Sequence, residues 1–269
     1  MLHALFYFNS GKGVLNLTST AGGAQDSRFV GGSQLVSIRL AARLGRRVVL
    51  RAPVRRIVSL PGGVEVVSDA GSWRARRVIV AIAPTLAARI DYEPELPPQR
   101  DGLTQRVPQG SVIKVEAVYS TPFWRAEGLS GYVNSDRPPI QITWDNSPPS
   151  GKPGVIVGFV LGTEARRLTE VSPSSRRRAL LGSLVRMFGP RAGRPRELIE
   201  QNWSREQWTR GCYAGFMAPG VWSDYGVALR QPVGRLHWAG TETAEVFNGY
   251  MDGAVRSGER AALEVMAQL

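Results

Sequence analysis

The chain has 269 residues and a formal net charge of +12, and its 43% hydrophobic and 21% charged residues are typical of a globular protein. One cysteine and two histidines exclude a disulfide-stabilised scaffold and a cysteine-rich zinc site, and no apolar stretch approaches the ~18 residues of a membrane helix. The positive charge comes from scattered arginines that are not interleaved with aromatic residues, which argues against a nucleic-acid partner. The first residues lack the basic region and cleavage site of a signal peptide, so the expected location is cytoplasmic.

The first half of the chain predicts one helix followed by several short strands. Residues 1–28 pass from an apolar, aromatic run into a polar stretch, and Gly31-Gly32-Ser33 then begins a helix that ends at Gly45. Strands are predicted at 48–50, 54–60, 64–68, 73–77 and 78–82, the last of them buried on both faces. Residues 91–108 are polar and rich in proline, which predicts a connection without regular structure.

The second half alternates strands with helices. Strands are predicted at 111–119, 140–144 and 154–161, and a helix begins at Ser172-Pro173 and ends at Gly189-Pro190. The last helix begins near Gly249, with an apolar face that runs from Met251 to Met266. Because strands and helices interleave throughout, the predicted class is α/β or mixed α+β.

A glycine pair near the start resembles part of a nucleotide-binding loop but does not complete one. Gly11-Lys12-Gly13 follows an apolar run, yet Asn16 stands at the third glycine position and no acidic residue closes a second strand. Gly13 also stands where a phosphate loop needs a hydroxyl side chain to hold magnesium. We therefore do not predict a nucleotide site in this segment.

Three other strings carry stronger signals. Lys114, one of only three lysines, lies midway along an apolar strand, so its head either reaches a polar site or extends to water. The string Gly211-Cys212-Tyr213 contains the only cysteine, which is either reactive or simply a small buried thiol. Gly240-Thr241-Glu242-Thr243 follows an apolar strand, and the start of the last helix follows it with glycines on both sides of Tyr250-Met251.

Together these strings resemble the flavin-containing monoamine oxidase family. The resemblance covers nearly the whole chain, because seven segments match in order and approximate spacing: 29–33, 107–114, 123–125, 202–203, 211–213, 240–243 and 249–260. It implies a partial FAD-binding domain of the glutathione-reductase-like type, interleaved with a mixed-sheet substrate domain. The expected boundaries are 1–28 and 111–204 for the substrate domain, and 29–110 and 205–269 for the FAD-binding domain.

The resemblance also assigns roles to individual residues. It implies catalytic roles for Lys114, Tyr213 and Tyr250, cofactor contacts by Cys212, Val54, Trp203, Gly240, Thr241, Glu242 and Met251, and substrate contacts by Gln25, Ile142 and Phe159. Lys114 matches the lysine that reaches flavin N5 through a water, and the two tyrosines match the pair that sandwiches the amine. Cys212 matches the cysteine that carries FAD through a thioether in the animal enzymes, although other relatives bind FAD without that bond.

The family begins with a strand, a glycine-rich loop and a helix that grip the FAD pyrophosphate, and no segment of this sequence matches that unit. The chain therefore resembles a truncated, C-terminal portion of an amine oxidase, with the N-terminal half as an expected partner and a homodimer as an open alternative. The implied reaction converts an amine, O2 and water into an aldehyde, ammonia and hydrogen peroxide by hydride transfer to flavin N5. Two alternatives are open: an oxidase of amino acids or polyamines, and a non-catalytic remnant that is unable to hold FAD.

Overall fold

The computed structural model describes residues 1–19, 21–24 and 26–269. The chain divides into two compact units, each with its own hydrophobic clusters. Unit 1 combines Met1–Pro108 with Ala214–Leu269, and unit 2 is the intervening segment Gln109–Tyr213. Helices and strands alternate along the chain, which confirms the predicted mixed α/β class.

The regular elements are numbered in chain order. The helices are α1 (Leu2–Ser10), α2 (Val14–Thr18), α3 (Gln34–Leu44), α4 (Pro84–Ala87), α5 (Pro98–Thr104), α6 (Phe123–Ala126), α7 (Gly162–Glu170), α8 (Pro173–Phe188), α9 (Val221–Tyr225) and α10 (Met251–Met266). The strands are β1 (Val54–Leu60), β2 (Gly63–Ser68), β3 (Gly71–Ala75), β4 (Val78–Val80), β5 (Asp91–Glu93), β6 (Val112–Tyr119), β7 (Val133–Asn134), β8 (Ile142–Asp145), β9 (Gly154–Leu161), β10 (Glu197–Asn202) and β11 (Leu236–Trp238).

Unit 1 contains two sheets that share a hydrophobic core. The larger has the order β3-β2-β1-β5, with β1 antiparallel to β2 and parallel to β5. The smaller pairs β11 with β4 in parallel, so that Trp238 lies opposite Val80. Ile57 of β1 and Tyr92 of β5 join these two residues in one buried cluster. The guanidinium of Arg100 lies 3.6 Å from the centroid of the Trp238 ring, which gives this buried charge a favourable partner.

Unit 2 is built on one antiparallel sheet of order β10-β6-β9-β8-β7. One face of this sheet packs on α8, because Ile113, Val115 and Val160 form a buried cluster with Leu180 and Leu184. As predicted, α8 begins at a capping serine followed by proline. The Ser172 hydroxyl oxygen accepts a hydrogen bond from the backbone N–H of Ser175 at 3.2 Å, and the helix ends at Gly189.

The secondary structure of two segments differs from the prediction. Residues 48–50 form no strand, and Leu50 is exposed, since this apolar run finds no neighbouring strand to pair with. Residues 91–108 are not a plain connection, because β5 pairs with β1 and α5 begins at Pro98. Proline is favoured in the first turn of a helix, so the residues that suggested a loop in fact begin α5.

The strand that was predicted to be buried on both faces is partly exposed, and so is the apolar face of the last helix. In the 78–82 segment, Val80 is buried but Ile79 and Ile82 are exposed, so the prediction of burial on both faces was wrong for these residues. Helix α10 buries small residues, namely Gly253, Ser257 and Ala261, and exposes Met251, Val255, Leu263 and Met266. None of the helices in the described part of the chain combines the length and apolar character that a membrane span requires.

Candidate active site

One face of the sheet in unit 2 is open and brings three predicted site residues into a single row. Lys114 on β6 lies opposite Phe159 on β9, and Phe159 lies opposite Ile142 on β8. Gln201 on β10 continues the row on the other side of Lys114. Because paired residues of antiparallel strands project from the same face, these four side chains lie together, on the face opposite the α8 cluster. We call them the first row.

A second row lies beside the first and contains residues that the sequence analysis missed. Glu116 on β6 lies opposite Val157 on β9, which lies opposite Trp144 on β8, and Ile199 on β10 lies on the other side of Glu116. These residues are two positions from the first row, so they project from the same open face. The period-two alternation along Ile142-Thr143-Trp144 is the signal that could have identified Trp144 from sequence.

Aromatic rings connect the two rows. The Phe159 centroid lies 5.5 Å from that of Trp144 and 6.0 Å from that of Tyr213, both in edge-on geometry. Tyr132 continues the series, with its ring centroid 5.9 Å from that of Trp144. We call these four residues the aromatic wall. It places the predicted substrate residue Phe159 in contact with the predicted catalytic residue Tyr213.

The single charged pair in these two rows of described residues joins Lys114 to Glu116. Lys114 Nζ lies 2.8 Å from Glu116 Oε1, and the side chains are 37% and 28% exposed. The sequence left two alternatives for the Lys114 ammonium, a polar partner or an extension into water. The ion pair with Glu116 shows that the ammonium has a polar partner. The Lys114 ammonium stays at the open face, held beside a carboxylate on its own strand.

Cys212 is held against the residues that precede β6. Its backbone N–H donates a hydrogen bond to the carbonyl oxygen of Gly110 at 2.9 Å, and the Cys212–Tyr213 peptide bond is cis. A Cβ added at Gly110 would lie 2.3 Å from the carbonyl oxygen of Cys212, and one at Gly211 would lie 2.4 Å from that of Gly110. Two of the predicted strings thus meet by a backbone approach that only glycine allows.

Burial raises the pKa of the Cys212 thiol to about 12. At neutral pH this sulfur is therefore a protonated thiol and not the thiolate that reacts as a nucleophile. Trp203, the remaining predicted cofactor contact in unit 2, begins a 3-10 turn directly after β10, the strand that pairs with β6. It thus lies at the same edge of the sheet as Gln201.

In unit 1, three predicted cofactor residues meet where the parallel strands end. Gly240 follows β11 with a φ of +121°, and its N–H donates to the Ser257 hydroxyl oxygen at 2.9 Å. The Thr241 hydroxyl donates to the carbonyl oxygen of Tyr250 at 2.9 Å, next to Met251 at the start of α10. Crevices beyond the carboxyl ends of parallel strands are common ligand sites in α/β proteins. This cluster is therefore a candidate cofactor contact.

Two further predicted cofactor residues of unit 1 are integrated into its interior. Val54 begins β1 and packs against the cluster that contains Trp238. Glu242 is only 4% exposed, and its Oε1 accepts a hydrogen bond from the backbone N–H of Gly215 at 2.9 Å. Its main-chain oxygen accepts a bond from Asn248 Nδ2 at 3.0 Å. The contacts of Glu242 are thus with the protein's own backbone and with a neighbouring amide.

Tyr250 contacts an aromatic residue from the start of the chain. Its ring stacks near that of Tyr7 with centroids 6.4 Å apart, and the two hydroxyl oxygens are 3.4 Å apart. Phe247 packs against the other edge of Tyr250 with a centroid distance of 6.1 Å. Tyr7 was not predicted as a site residue, because helix α1 carries no sequence motif. Gln25, a predicted substrate contact, lies outside the described residues.

The chain resembles flavin-dependent amine-metabolising enzymes along its length. The sequence profile of the family described as flavin containing amine oxidoreductase matches residues 5–266. A probable flavin-containing monoamine oxidase A of Dictyostelium discoideum is 47% identical over 255 residues, which are 94% of this chain and 56% of that protein. An L-amino acid dehydrogenase of Synechocystis is 42% identical over 239 residues, covering 89% of this chain and 51% of that protein.

The solved structures give the same result for the fold. A putrescine oxidase, redesigned in its cofactor binding, superposes with a TM-score of 0.95 at 38% sequence identity, covering 100% of this chain and 60% of that one. The present chain therefore spans little more than half the length of the proteins that it matches.

Proposed function

Because the chain belongs to the flavin-containing amine oxidoreductase family, we propose that it carries the substrate-binding part of an FAD-dependent amine oxidase. The reaction would convert an amine, O2 and water into an aldehyde, ammonia and hydrogen peroxide. The single observation that supports this most strongly is the first row on the open sheet face, where Phe159 lies between Lys114 and Ile142 on the neighbouring strands. When bound, FAD would accept a hydride from the α-carbon of the amine and return the electrons to oxygen.

The residues of this chain fit such a cofactor in two places. Gly240 and Thr241 lie beyond the carboxyl ends of the parallel strands β4 and β11, and they would hold the phosphate or ribityl side. In unit 2, Cys212 and Trp203 would lie at the isoalloxazine. Because burial disfavours the thiolate of Cys212 beyond that of an ordinary cysteine, we propose that FAD is held without a covalent bond to this sulfur.

The chain's side chains would bind and orient the amine. The rings of Tyr213 and Phe159 lie edge-on to each other and would offer electron-rich faces to the amine nitrogen. Lys114 would hold a water beside the flavin. In the complete flavin-bound enzyme, we expect Lys114→Met to slow flavin reoxidation more than flavin reduction in stopped-flow experiments. Equal effects on both half-reactions would argue against this role.

Among the relatives' substrates, the open face favours a monoamine with an apolar or aromatic group. A second ammonium, as in putrescine, would need an unpaired carboxylate, but Glu116 is already paired with Lys114. An amino acid would need an arginine for its carboxylate, and no arginine occupies the two described rows of this face. Turnover of benzylamine compared with putrescine and an L-amino acid would test this order of preference.

The relatives contain a further segment with which this chain does not align. We also propose that flavin binding requires a polypeptide equivalent to that segment. Helix α3 has no buried residue and exposes Val36, Ile38 and Leu40, and α10 exposes a further apolar stripe. Apolar helix faces of this size are normally covered by other protein. The cytoplasmic location expected from the sequence stays a prediction, and the homodimer stays an open alternative.

The decisive experiment compares the 269-residue chain alone with the chain supplemented by that polypeptide. We expect the chain alone to show weak or no flavin absorbance, and the supplemented protein to bind FAD and release hydrogen peroxide with a monoamine. Stoichiometric flavin on the chain alone would contradict the need for further polypeptide. A flavin-loaded protein that oxidises no amine would contradict the proposed activity itself.

A further inference from the structure

The position of Glu116 relative to Lys114 suggests a role that the sequence analysis did not assign. The two residues are separated by one position on β6, and their charged groups meet on the open face at 2.8 Å. Strand β6 is paired on both edges, with β10 on one side and β9 on the other, over nearly its whole length. The backbone that presents the two side chains is therefore fixed by hydrogen bonds from two neighbours.

The residues around this pair leave Lys114 no competing charge in either row of described residues. Gln201 and Phe159 flank Lys114 in the first row, and Ile199 and Val157 flank Glu116 in the second. The amide of Gln201 is itself engaged, because its Nε2 donates to Glu206 Oε1 at 2.6 Å. Within these two rows of described residues, Glu116 is thus the anionic partner of the lysine ammonium.

A lysine head on a four-carbon stem samples many rotamers unless a partner restrains it. We propose that Glu116 is a positioning residue that holds the ammonium of Lys114 over the first row, at one height above the sheet. The functional meaning of this restraint rests on the role proposed above for Lys114 beside the flavin. Glu116 itself need not touch flavin or amine.

The first test needs no cofactor and uses the chain as it is. Reductive methylation with 13C-formaldehyde labels three lysines and the N-terminal amine, and the label keeps the positive charge. The Lys114 signal is identified by its loss in Lys114→Arg. We expect Glu116→Gln to shift this signal and to leave those of Lys12 and Lys152 in place. The control is Glu127→Gln, which removes an exposed carboxylate 3.9 Å from Arg191 in the same unit. An unmoved Lys114 signal in Glu116→Gln would overturn the proposal.

The second test uses the complete flavin-bound enzyme. We expect Glu116→Gln to slow flavin reoxidation about two- to fivefold, as is typical for a partly exposed ion pair, and Glu116→Asp to restore part of the rate. In a Lys114→Met background the same substitution should have no further effect, which a purely structural role would not produce. If Lys114→Met slows reoxidation and Glu116→Gln does not, the positioning role is wrong. If neither substitution slows flavin reoxidation but Glu116→Gln shifts the Lys114 signal, the ion pair is supported and the proposed role of Lys114 is wrong.

Discussion

The carbonyl oxygen of Gly110 accepts a hydrogen bond from the backbone N–H of Cys212 at 2.9 Å, and this bond joins two segments about 100 residues apart in the chain. The approach is so close that neither Gly110 nor Gly211 has room for a Cβ atom. It fixes Cys212 and Tyr213 relative to β6, the strand that carries Lys114. The geometry of the open face therefore depends on two glycines that contribute no side chain to it.

Gly110→Ala should destabilise unit 2 because the added methyl group would lie 2.3 Å from the carbonyl oxygen of Cys212. The backbone must shift to relieve this overlap, and overpacking of this kind typically costs about 1–3 kcal/mol. Urea denaturation followed by tryptophan fluorescence would measure the loss. Gly182→Ala is the matched control, since its Cβ would meet only the end of Arg186 at 3.8 Å inside α8. We expect the control to be neutral or to stabilise the helix by up to ~1 kcal/mol. Equal stability of the two variants would contradict the close approach.

Cys212 should react slowly with thiol reagents in the folded chain. Burial raises the pKa of its thiol to about 12, compared with an ordinary value of 9.0. At pH 8 this lowers the thiolate fraction by roughly 1,000-fold, and only the thiolate is alkylated. Iodoacetamide labelling, followed by mass spectrometry, is unambiguous because the chain has one cysteine. The labelling rate of the folded chain should still be rising above pH 10, whereas the labelling rate of the chain in urea should level off near pH 9. A folded rate that levels off near pH 9 would show that the thiol is not shielded.

The sequence predicted the elements whose signals are local. Helix α8 has a capping serine, a proline and a terminal glycine, and strand β9 is an uninterrupted apolar run, so both were located correctly. The 48–50 run failed because strand formation depends on a partner that lies elsewhere in the chain. The row of Lys114, Phe159 and Ile142 required the register between strands, which no local pattern encodes. The contact of Tyr7 with Tyr250 likewise joins opposite ends of the sequence.

Trp144 should influence which amines are accepted by the amine oxidase that we propose. Its ring supports Phe159 at a centroid distance of 5.5 Å, and Phe159 in turn contacts Tyr213. Trp144→Leu keeps an apolar side chain but removes the ring that orients Phe159. We expect KM for benzylamine to rise roughly two- to tenfold, the range for loss of one aromatic pair, with little change in kcat. Trp208→Leu is the control because Trp208 is exposed. An unchanged KM in Trp144→Leu would show that Trp144 does not contribute to substrate binding.

Glu242 offers a test that separates a structural carboxylate from a cofactor contact. Its Oε1 accepts the N–H of the buried Gly215 at 2.9 Å, so Glu242→Ala leaves that donor without its partner. We expect a loss of about 1–3 kcal/mol in the free energy of unfolding and faster hydrogen exchange at the Gly215 amide. Glu242→Gln retains an acceptor oxygen and should preserve most of the protection. The control, Glu245→Ala, removes an exposed carboxylate 2.6 Å from Arg230 and should cost less than ~1 kcal/mol. A different result would contradict the structural role: Glu242→Ala would be no less stable than Glu245→Ala in the cofactor-free chain, yet it would weaken FAD binding in the complete enzyme. Glu242 would then act on the cofactor directly and not through the backbone.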